Sequence, residues 1–337
     1  MNALLDLYHE MEHYGFAAAA GTTHIGRAAV GGVDALVSRL EKEGSGELSA
    51  VRLPWRTLDR ALGNGLAPGQ VTVLAGAAGA AKSYLLLNLL HHAASQEKEW
   101  RLLPLEDDAG WWVQRMLAVS TGSWEMVARP SGDSGEERRL LAGRKLTVAR
   151  ANPNLMRYLY RCIYENPRLP IDNGTGSLVV PEVRYADVLA MVESIAGHVD
   201  LVGIDCLSQV DFSDNGADYL GQADFMRRLV GIAAATSSHI VLVGHLAKAS
   251  GGKDPLDAIQ GSAMFNRLAH NVLTLTRHDP AHESAVAGRT GTVHHRLTLS
   301  VLKCRTGMSG SRFAFDLDAD GPVFTEYGAV LPRRREG

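Results

Sequence analysis

The pattern of apolar and polar positions changes near residue 50, where short apolar runs begin to alternate with stretches of helical periodicity. Short apolar runs bounded by turn residues indicate buried strands, and apolar spacings of three and four indicate amphipathic helices. Strands are predicted at residues 71–75, 100–105, 200–204, 240–243, 271–276, 297–302 and 313–317, and helices at 84–94, 111–119, 186–196 and 223–235. This alternation predicts an α/β fold with a mostly parallel, twisted sheet flanked by helices and with antiparallel strands toward the C-terminus.

Residues 1–50 follow a different pattern. Residues 4–11 predict a short amphipathic helix, and residues 33–40 predict a second helix that ends in the polar linker 41–46. This segment is either a small helical collar packed on the main domain or an arm that docks on a neighbouring subunit. The predicted organisation is thus a helical arm or collar at 1–50, a main domain at 51–330 and a basic tail at 331–337.

Composition and charge leave the chain in the ordinary soluble class. Of its 337 residues, 46% are hydrophobic and 21% are charged, and its net charge of −3 provides no global basic field. The three cysteines lie far apart without a C-x-x-C pair, which favours a reduced, cytoplasmic protein. No apolar run approaches the roughly 18 residues of a membrane span. The first residues carry acids where a secretory signal carries basic residues, so no targeting peptide is expected.

The segment Gly76-Ala-Ala-Gly-Ala-Ala-Lys-Ser83 lies between a predicted strand and a predicted helix, the context that a phosphate-binding loop requires. Small residues let backbone N–H groups close around a phosphate, and the helix N-terminus adds its positive end. We therefore expect ATP and Mg²⁺ here, with Lys82 on the β- and γ-phosphates and Ser83 on the metal. The alternative is a small-residue turn with an incidental lysine. The predicted nucleotide contacts are Gly76, Ala77, Ala78, Gly79, Ala80, Ala81, Lys82, Ser83 and Tyr84.

Ala81 stands where such loops usually carry glycine. This position often needs a backbone conformation that a Cβ atom disfavours. Because alanine is the mildest replacement, we expect a perturbed loop rather than an inactive one.

Two acids follow predicted strands. Asp205 ends the apolar run 201–204, where a carboxylate at the strand's C-terminal edge can hold the water shell of Mg²⁺. Glu106 closes the strand after the phosphate-loop helix, where a carboxylate can polarise the attacking water. Asp107 and Asp108 lie beside it and are the alternative candidates, unless they cap the following helix.

His245 follows the predicted strand 240–243. A polar side chain at the tip of that strand can contact the γ-phosphate and transmit its loss to the next loop. A histidine satisfied at a strand end is the alternative interpretation.

The order of these motifs resembles a known group of motors. The segments Trp55-Arg-Thr-Leu-Asp59 and Gly63–Gln70 look like the entry to the RecA-like domain of DnaB-type helicases, RadA and KaiC. Leu105-Glu-Asp-Asp108 with Gln114–Leu117 is similar to the following unit of DnaB-type and plasmid RepA-type helicases. The segment 240–248 with Gln260–Ser262 is similar to the RepA-type sensor strand and its loop, and Leu302–Gly307 looks like the K-x-R-x-G strand of DnaB-type motors.

The resemblance, which covers about residues 52–328, implies a RecA-like P-loop ATPase that assembles into a ring, most often a hexamer. It also implies that Lys303 and Arg305 act across the subunit boundary as a cation and an arginine finger on a neighbour's nucleotide. A planar guanidinium stabilises the charge that spreads over the γ-phosphoryl group. His245 stands where DnaB-type enzymes usually carry glutamine, and the 50 upstream residues leave no space for a DnaB-type primase-binding domain.

Single-stranded DNA is the partner that the resemblance implies, with a helicase loader or primase as a further partner. Binding a single strand requires cations on loops that face the ring axis. The loop 211–218 is acidic, whereas the loop 248–253 carries Lys248 and Lys253, and Arg267 follows it. These three are the predicted DNA contacts, with a solvated surface loop as the alternative.

Three functions stay open at this point. The first is an ATP-driven ring helicase or translocase on single-stranded DNA, of a phage or plasmid replication type. The second is a RadA- or RecA-like recombination ATPase that forms filaments, although no long basic DNA loop or polymerisation motif is seen. The third is a regulatory ATP-binding protein without helicase activity, for which Ala81 is the only indication.

Overall fold

An eight-stranded sheet organises the part of the chain that the structure, a computed structural model, describes. The described residues are 37–38, 40–42, 44–46, 48–129, 135–167, 171–172, 178–179, 183–213, 218–245 and 263–332. The chain forms two compact units, residues 1–49 and 50–337.

The strands are β1 (Val71–Gly76), β2 (Trp100–Pro104), β3 (Ile171–Asp172), β4 (Leu178–Val179), β5 (Val183–Arg184), β6 (Leu201–Asp205), β7 (Val210–Asp211), β8 (His239–His245), β9 (Asn271–Ala285), β10 (Thr292–Cys304), β11 (Arg312–Leu317) and β12 (Phe324–Ala329). The helices are α1 (Arg56–Ala61), α2 (Lys82–Ser95), α3 (Ala109–Thr121), α4 (Gly135–Ala151), α5 (Pro153–Cys162), α6 (Tyr185–Ala196), α7 (Asp218–Thr236) and α8 (Ala263–Leu268). Two 3₁₀ turns cover Trp124–Met126 and Leu207–Gln209.

The sheet has the order β12-β11-β10-β9-β1-β8-β6-β2. The five strands from β9 to β2 are parallel, and β10, β11 and β12 continue the sheet in antiparallel fashion. Because β1 is central and buried along its whole length, its β-branched and small residues pack on both faces. The predicted fold, a mostly parallel sheet with antiparallel strands toward the C-terminus, is confirmed.

Side chains that alternate along β1 and β8 enter two separate cores. Leu74 and Val243 belong to the core shared with α2, α3 and α5, whereas Val73 and Leu242 belong to the core shared with α6, α7 and α8. A parallel sheet requires such cover on both faces. This doubly wound arrangement leaves the carboxyl edge of the parallel strands free for loops.

Local capping sets the start and end of α3, the helix beside the candidate site. The Asp108 carboxylate accepts a hydrogen bond from the Trp111 N–H at 3.1 Å, so it satisfies a donor of the first turn. Gly122 ends the helix with a φ of 62°. Asp108 is therefore a helix cap, as one of the two sequence interpretations proposed.

Several elements differ from the sequence-based prediction. The helix α4 lies in a segment that showed little periodicity, because none of its described side chains is buried and it carries no apolar stripe. The ribbon of β9 and β10 extends well beyond the predicted strands, and its outer half is mostly exposed. The strand β12 was not predicted. The described residues between 37 and 45 are helical, so helix also covers part of the predicted polar linker.

Residues 4–11, predicted as a helix, lie outside the described part of the chain, as does most of the basic tail. Among the described residues, no helix combines the length and the apolar character that crossing a membrane requires.

Candidate active site

The carboxyl edge of the parallel strands brings together most of the predicted site residues. Gly76 ends β1 and is paired in register with His245, which ends β8. Asp205 ends β6, and Glu106 follows two residues after the end of β2. A cavity of ≈ 380 Å³ opens at this edge. It is lined by Ala78, Gly79, Ala81, Lys82, Ser83, Tyr84, Glu106, Asp107, Arg115, Trp124, Asp205, Cys206, His245, Arg277 and Leu317.

The Lys82 side chain folds back over the loop that precedes its own helix. Its Nζ donates to the carbonyl oxygens of Gly76 at 3.0 Å and Ala77 at 2.9 Å, and it is only 6% exposed. Burial lowers the pKa of Lys82, and the nearby Asp205 is the largest of the influences that raise it. The ammonium is thus held at the mouth of the loop, next to the space where phosphate oxygens would lie.

The loop backbone depends on three small residues. A Cβ atom on Gly76 would lie 2.5 Å from the Leu275 carbonyl oxygen, so only glycine fits between the strands. Gly79 has a φ of 74°, and Ala81 has a φ of 67° in the left-handed region. The conformational demand expected at position 81 is therefore present, and Ala81 meets it despite its Cβ atom.

Asp205 is the buried acid of the site, with 1% exposure. Desolvation raises its pKa to about 6, while a hydrogen bond from the Ser83 side chain and the Lys82 charge lower it. Its Oδ2 is buried without a hydrogen-bond partner among the described residues. A buried carboxylate oxygen that lacks a partner is costly unless a cation or water satisfies it. Asp205 and Ser83 together offer the hard oxygen ligands that Mg²⁺ prefers, so these residues fit the predicted metal.

Glu106 and its two acidic neighbours have separate environments. The Glu106 side chain is exposed at the cavity, and its Oε2 lies 3.6 Å from the Cys206 Sγ. Asp107 is paired with Arg115 at 2.7 Å, and Asp108 caps α3. Of the three, Glu106 is the carboxylate that is free to face a water molecule in the cavity.

His245 lies between Lys82 and Cys206. Its Nδ1 is 3.5 Å from the Lys82 Nζ, and its Nε2 is 3.5 Å from the Cys206 Sγ. Burial and the Lys82 charge lower the pKa of His245, so the ring is neutral at pH 7. Because an ammonium only donates, Nδ1 accepts and the ring proton is on Nε2. His245 therefore presents a donor toward the interior of the cavity.

Sequence patterns did not indicate four residues of this cavity. Arg115 and Trp124 come from α3 and the turn after it, and the Trp124 ring packs edge-on against Tyr84 at 5.2 Å. Arg277, on β9, donates to the Gly79 carbonyl oxygen at 3.4 Å. Cys206 directly follows Asp205, and this adjacency was the only signal in the sequence that could have identified it.

A second cavity of ≈ 340 Å³ adjoins the first and shares Ala81, Trp124, Arg277 and Leu317 with it. Its remaining lining comes from the antiparallel strands. These residues are Arg296, Leu297, Asp316, Asp318 and Ala319. The two cavities together form a groove that runs from the phosphate loop toward β10 and β11.

Lys303 and Arg305 lie away from the phosphate loop of their own chain. Lys303 Nζ donates to the carbonyl oxygens of Asn266, Arg267 and Ala269 at 2.7–2.9 Å, so it caps the C-terminal end of α8. Arg305 is exposed. Arg267 is also exposed, and its main chain lies at this same helix end. Lys248 and Lys253, the other two predicted DNA contacts, lie outside the described residues.

Known proteins share both the sequence pattern and the fold. Residues 52–251 match the family described as AAA domain. No curated protein sequence is a significant match. The structure is similar to a solved ATPase domain, with a TM-score of 0.61 and 14% identity over 87% of this chain and 97% of that one. It is also similar to a DnaB-like replicative helicase, described with its interactions with primase, at a TM-score of 0.60 and 13% identity over 96% of this chain and 71% of that one.

The RadB recombinase is a weaker structural match, with a TM-score of 0.50 and 13% identity over 80% of this chain and 97% of that one. At such identities these likenesses establish the fold alone, and they confirm that the fold is the RecA-like one. The match over residues 52–251 spans more than half of the sequence. The chain thus belongs to the AAA domain family, with the RecA-like fold of helicase ATPase domains.

Proposed function

We propose that this protein hydrolyses ATP with Mg²⁺ and uses the energy to move along single-stranded DNA as a ring-shaped helicase or translocase. The observation that carries the hydrolytic part is the convergence at one sheet edge of Lys82, the Ser83–Asp205 pair and Glu106. A phosphate cradle, a buried metal acid and an exposed carboxylate are the parts that phosphoryl transfer to water requires.

In this proposal, the backbone of Gly76–Ser83 holds the phosphates and Lys82 binds the β- and γ-phosphate oxygens. Bound Mg²⁺, held by Ser83 and Asp205, would neutralise charge on those oxygens. Glu106 orients the attacking water, and His245 donates from Nε2 to the γ-phosphate. The base and sugar extend into the adjoining cavity, where the half-buried Trp124 and Leu317 offer apolar surface.

The position of Arg305 supports a shared site between subunits. Its N–H donates to the His270 carbonyl oxygen, and the His270 N–H donates to Val71, the first residue of β1. The phosphate loop begins at the other end of that strand, about 17 Å away at roughly 3.3 Å per residue. An arginine side chain cannot span that distance, so Arg305 is available only to a neighbouring subunit's nucleotide. A neighbour that supplies this guanidinium makes hydrolysis depend on assembly.

A subunit-mixing experiment tests the proposal. Arg305→Ala should lower ATP turnover by about a thousandfold or more while leaving nucleotide affinity within a few-fold. Glu106→Gln should be similarly inactive, and mixing the two inactive proteins should restore part of the turnover, since some interfaces then combine an intact Glu106 with an intact Arg305. Arg312→Ala, which changes an exposed arginine on the neighbouring strand β11, is the matched control and should keep full activity. Absence of any recovery in every mixture would remove the trans arrangement.

Stimulation by DNA separates the candidate functions. Turnover of the wild-type protein should rise when single-stranded DNA is added, whereas Lys82→Ala should show no turnover with or without it. Turnover that DNA leaves unchanged would favour a regulatory ATPase. The RadB likeness keeps a recombination ATPase as the second candidate, and electron microscopy of the ATP-bound protein distinguishes filaments from closed rings.

A further inference from the structure

Three side chains at the γ-phosphate end of the cavity form a set of metal ligands different in character from the Asp205–Ser83 pair. The carboxylate of Glu106, the thiol of Cys206 and the imidazole of His245 place one ligand atom each within 4.8 Å of one another. Thiolate and imidazole ligands favour zinc, whereas carboxylate and hydroxyl oxygens favour magnesium. Cys206 is buried, His245 is half-buried and Glu106 is exposed, so the set opens toward the cavity.

The measured separations agree with those of a tetrahedral zinc centre. With Zn–S near 2.3 Å and Zn–N or Zn–O near 2.0–2.2 Å, two ligands at a tetrahedral angle lie about 3.6 Å apart when one of them is sulfur. In the structure, Cys206 Sγ lies 3.5 Å from His245 Nε2 and 3.6 Å from Glu106 Oε2. The third edge joins Glu106 and His245 within 4.8 Å, and the exposed Glu106 side chain can rotate to close it.

A second ligand shell is present for the sulfur. The Ser208 hydroxyl lies 2.8 Å from the Cys206 Sγ and can donate to the thiolate. Such outer hydrogen bonds orient ligands and typically matter 10- to 100-fold in metal affinity. The arrangement thus contains three first ligands, a supporting donor and a fourth position that faces the cavity.

We propose that Glu106, Cys206 and His245 bind a thiophilic divalent cation, Zn²⁺ in the first place, and that this ion inhibits the hydrolytic site. Binding releases the thiol proton to solvent and forms a bond from the thiolate sulfur to the metal. The ion engages the Glu106 carboxylate, so that carboxylate can no longer orient water. The metal binding stands independently, whereas its inhibitory effect rests on the proposed ATP hydrolysis.

The neighbouring lysine sets the cost of coordination. When His245 binds metal through Nε2, its ring proton moves to Nδ1, which faces the Lys82 Nζ at 3.5 Å. Lys82 keeps its two shorter hydrogen bonds to Gly76 and Ala77 when this contact weakens. Since those bonds hold the ammonium in place, the metal site can form without displacing the lysine from the loop.

Cobalt titration tests the metal site directly. Co²⁺ is added to the full-length, reduced protein without nucleotide or Mg²⁺, and a thiolate-to-cobalt charge-transfer band is expected that excess Zn²⁺ abolishes. The band should be lost in Cys206→Ser. It should persist in the double variant Cys162→Ser/Cys304→Ser, in which Cys206 is the only cysteine. His245→Ala should weaken Co²⁺ binding by roughly 100-fold, as expected for loss of an inner ligand where outer ones cost 10- to 100-fold.

Two results overturn the proposed site: no charge-transfer band in the wild type, or a band that survives Cys206→Ser. Circular dichroism of Cys206→Ser checks that the loss is not one of folding. ATP hydrolysis is measured separately, with and without Zn²⁺ and a zinc-selective chelator. A band in protein that never hydrolyses ATP would keep the metal site and remove the proposed function. Hydrolysis that zinc leaves unchanged, despite the band, would overturn the inhibitory role.

Discussion

Replacing Ala81 by glycine tests whether the phosphate loop carries backbone strain. The loop contains two left-handed positions, Gly79 at a φ of 74° and Ala81 at a φ of 67°. One is occupied by glycine and the other by alanine, so Ala81→Gly and Gly79→Ala are opposite substitutions in nearly the same backbone conformation. A Cβ atom added at Gly79 would have no atom within 4 Å, so its effect comes from the backbone alone.

The expected free energies follow from three contributions. A Cβ atom in the left-handed region costs about 1–2 kcal/mol. Glycine loses about 0.4–1 kcal/mol more than alanine through the entropy of the unfolded chain. The Ala81 methyl also packs partly against the core, worth roughly half of the ~0.8 kcal/mol of a fully buried carbon. Ala81→Gly should therefore raise the free energy of unfolding by about 0.3 kcal/mol, and Gly79→Ala should lower it by about 1 kcal/mol.

Urea unfolding of the nucleotide-free proteins, followed by circular dichroism, measures both values. The difference between the two variants, about 1 kcal/mol or more, is the robust quantity because both substitutions lie in one loop. Affinity for ADP is measured in parallel to show that the loop still binds phosphate. If Ala81→Gly destabilises the protein as much as Gly79→Ala does, the left-handed geometry at position 81 stores no strain and this reasoning is wrong.

Two further predictions concern buried titratable groups. The pKa of Asp205, raised to about 6 from 3.8, means that its stabilising contribution is present below pH 3.8 and is lost as the pH rises through 6. Asp205→Asn should thus stabilise the metal-free protein at pH 8 by about 2 kcal/mol in urea unfolding while abolishing Mg²⁺-dependent ATP turnover; a less stable variant would contradict the burial argument. Burial lowers the pKa of His239 to about 4 from 6.5, so its contribution is present above pH 6.5 and lost as the pH falls toward 4. Unfolding between pH 7 and 4 should show a loss of about 3 kcal/mol that His239→Gln reduces and the control His198→Gln, at an exposed position, does not.

The central strands were predictable because burial on both faces leaves a strong signal. The run that became β1 contains β-branched and small residues without a polar interruption, and the Gly/Ala-rich turn after it marks the loop. Strand ends then located Asp205, Glu106 and His245, since parallel strands bring their carboxyl ends to one edge. The role of each side chain in hydrolysis stays a prediction until it is measured.

Other features could not be read from the sequence, for identifiable physical reasons. The helix α4 has no buried described side chain, so its apolar residues show no helical stripe. The cap that Lys303 provides for α8 depends on a contact between elements more than 30 residues apart. Arg115 and Arg277 are ordinary arginines in sequence, and only the packing of α3 and β9 against the loop brings them to the cavity.

The sheet order itself explains why two arginines would have different roles. β9 runs parallel to β1, so Arg277 near its middle lies at the carboxyl edge and reaches the Gly79 carbonyl of its own chain. β10 returns antiparallel to β9 and ends at the opposite edge, where Arg305 lies beside the start of β1. One chain thus offers a guanidinium to its own phosphate loop and exposes another where only a second copy can use it. If turnover per subunit rises with protein concentration, the exposed arginine is limiting; if it does not, Arg277 is the guanidinium that acts in the reaction.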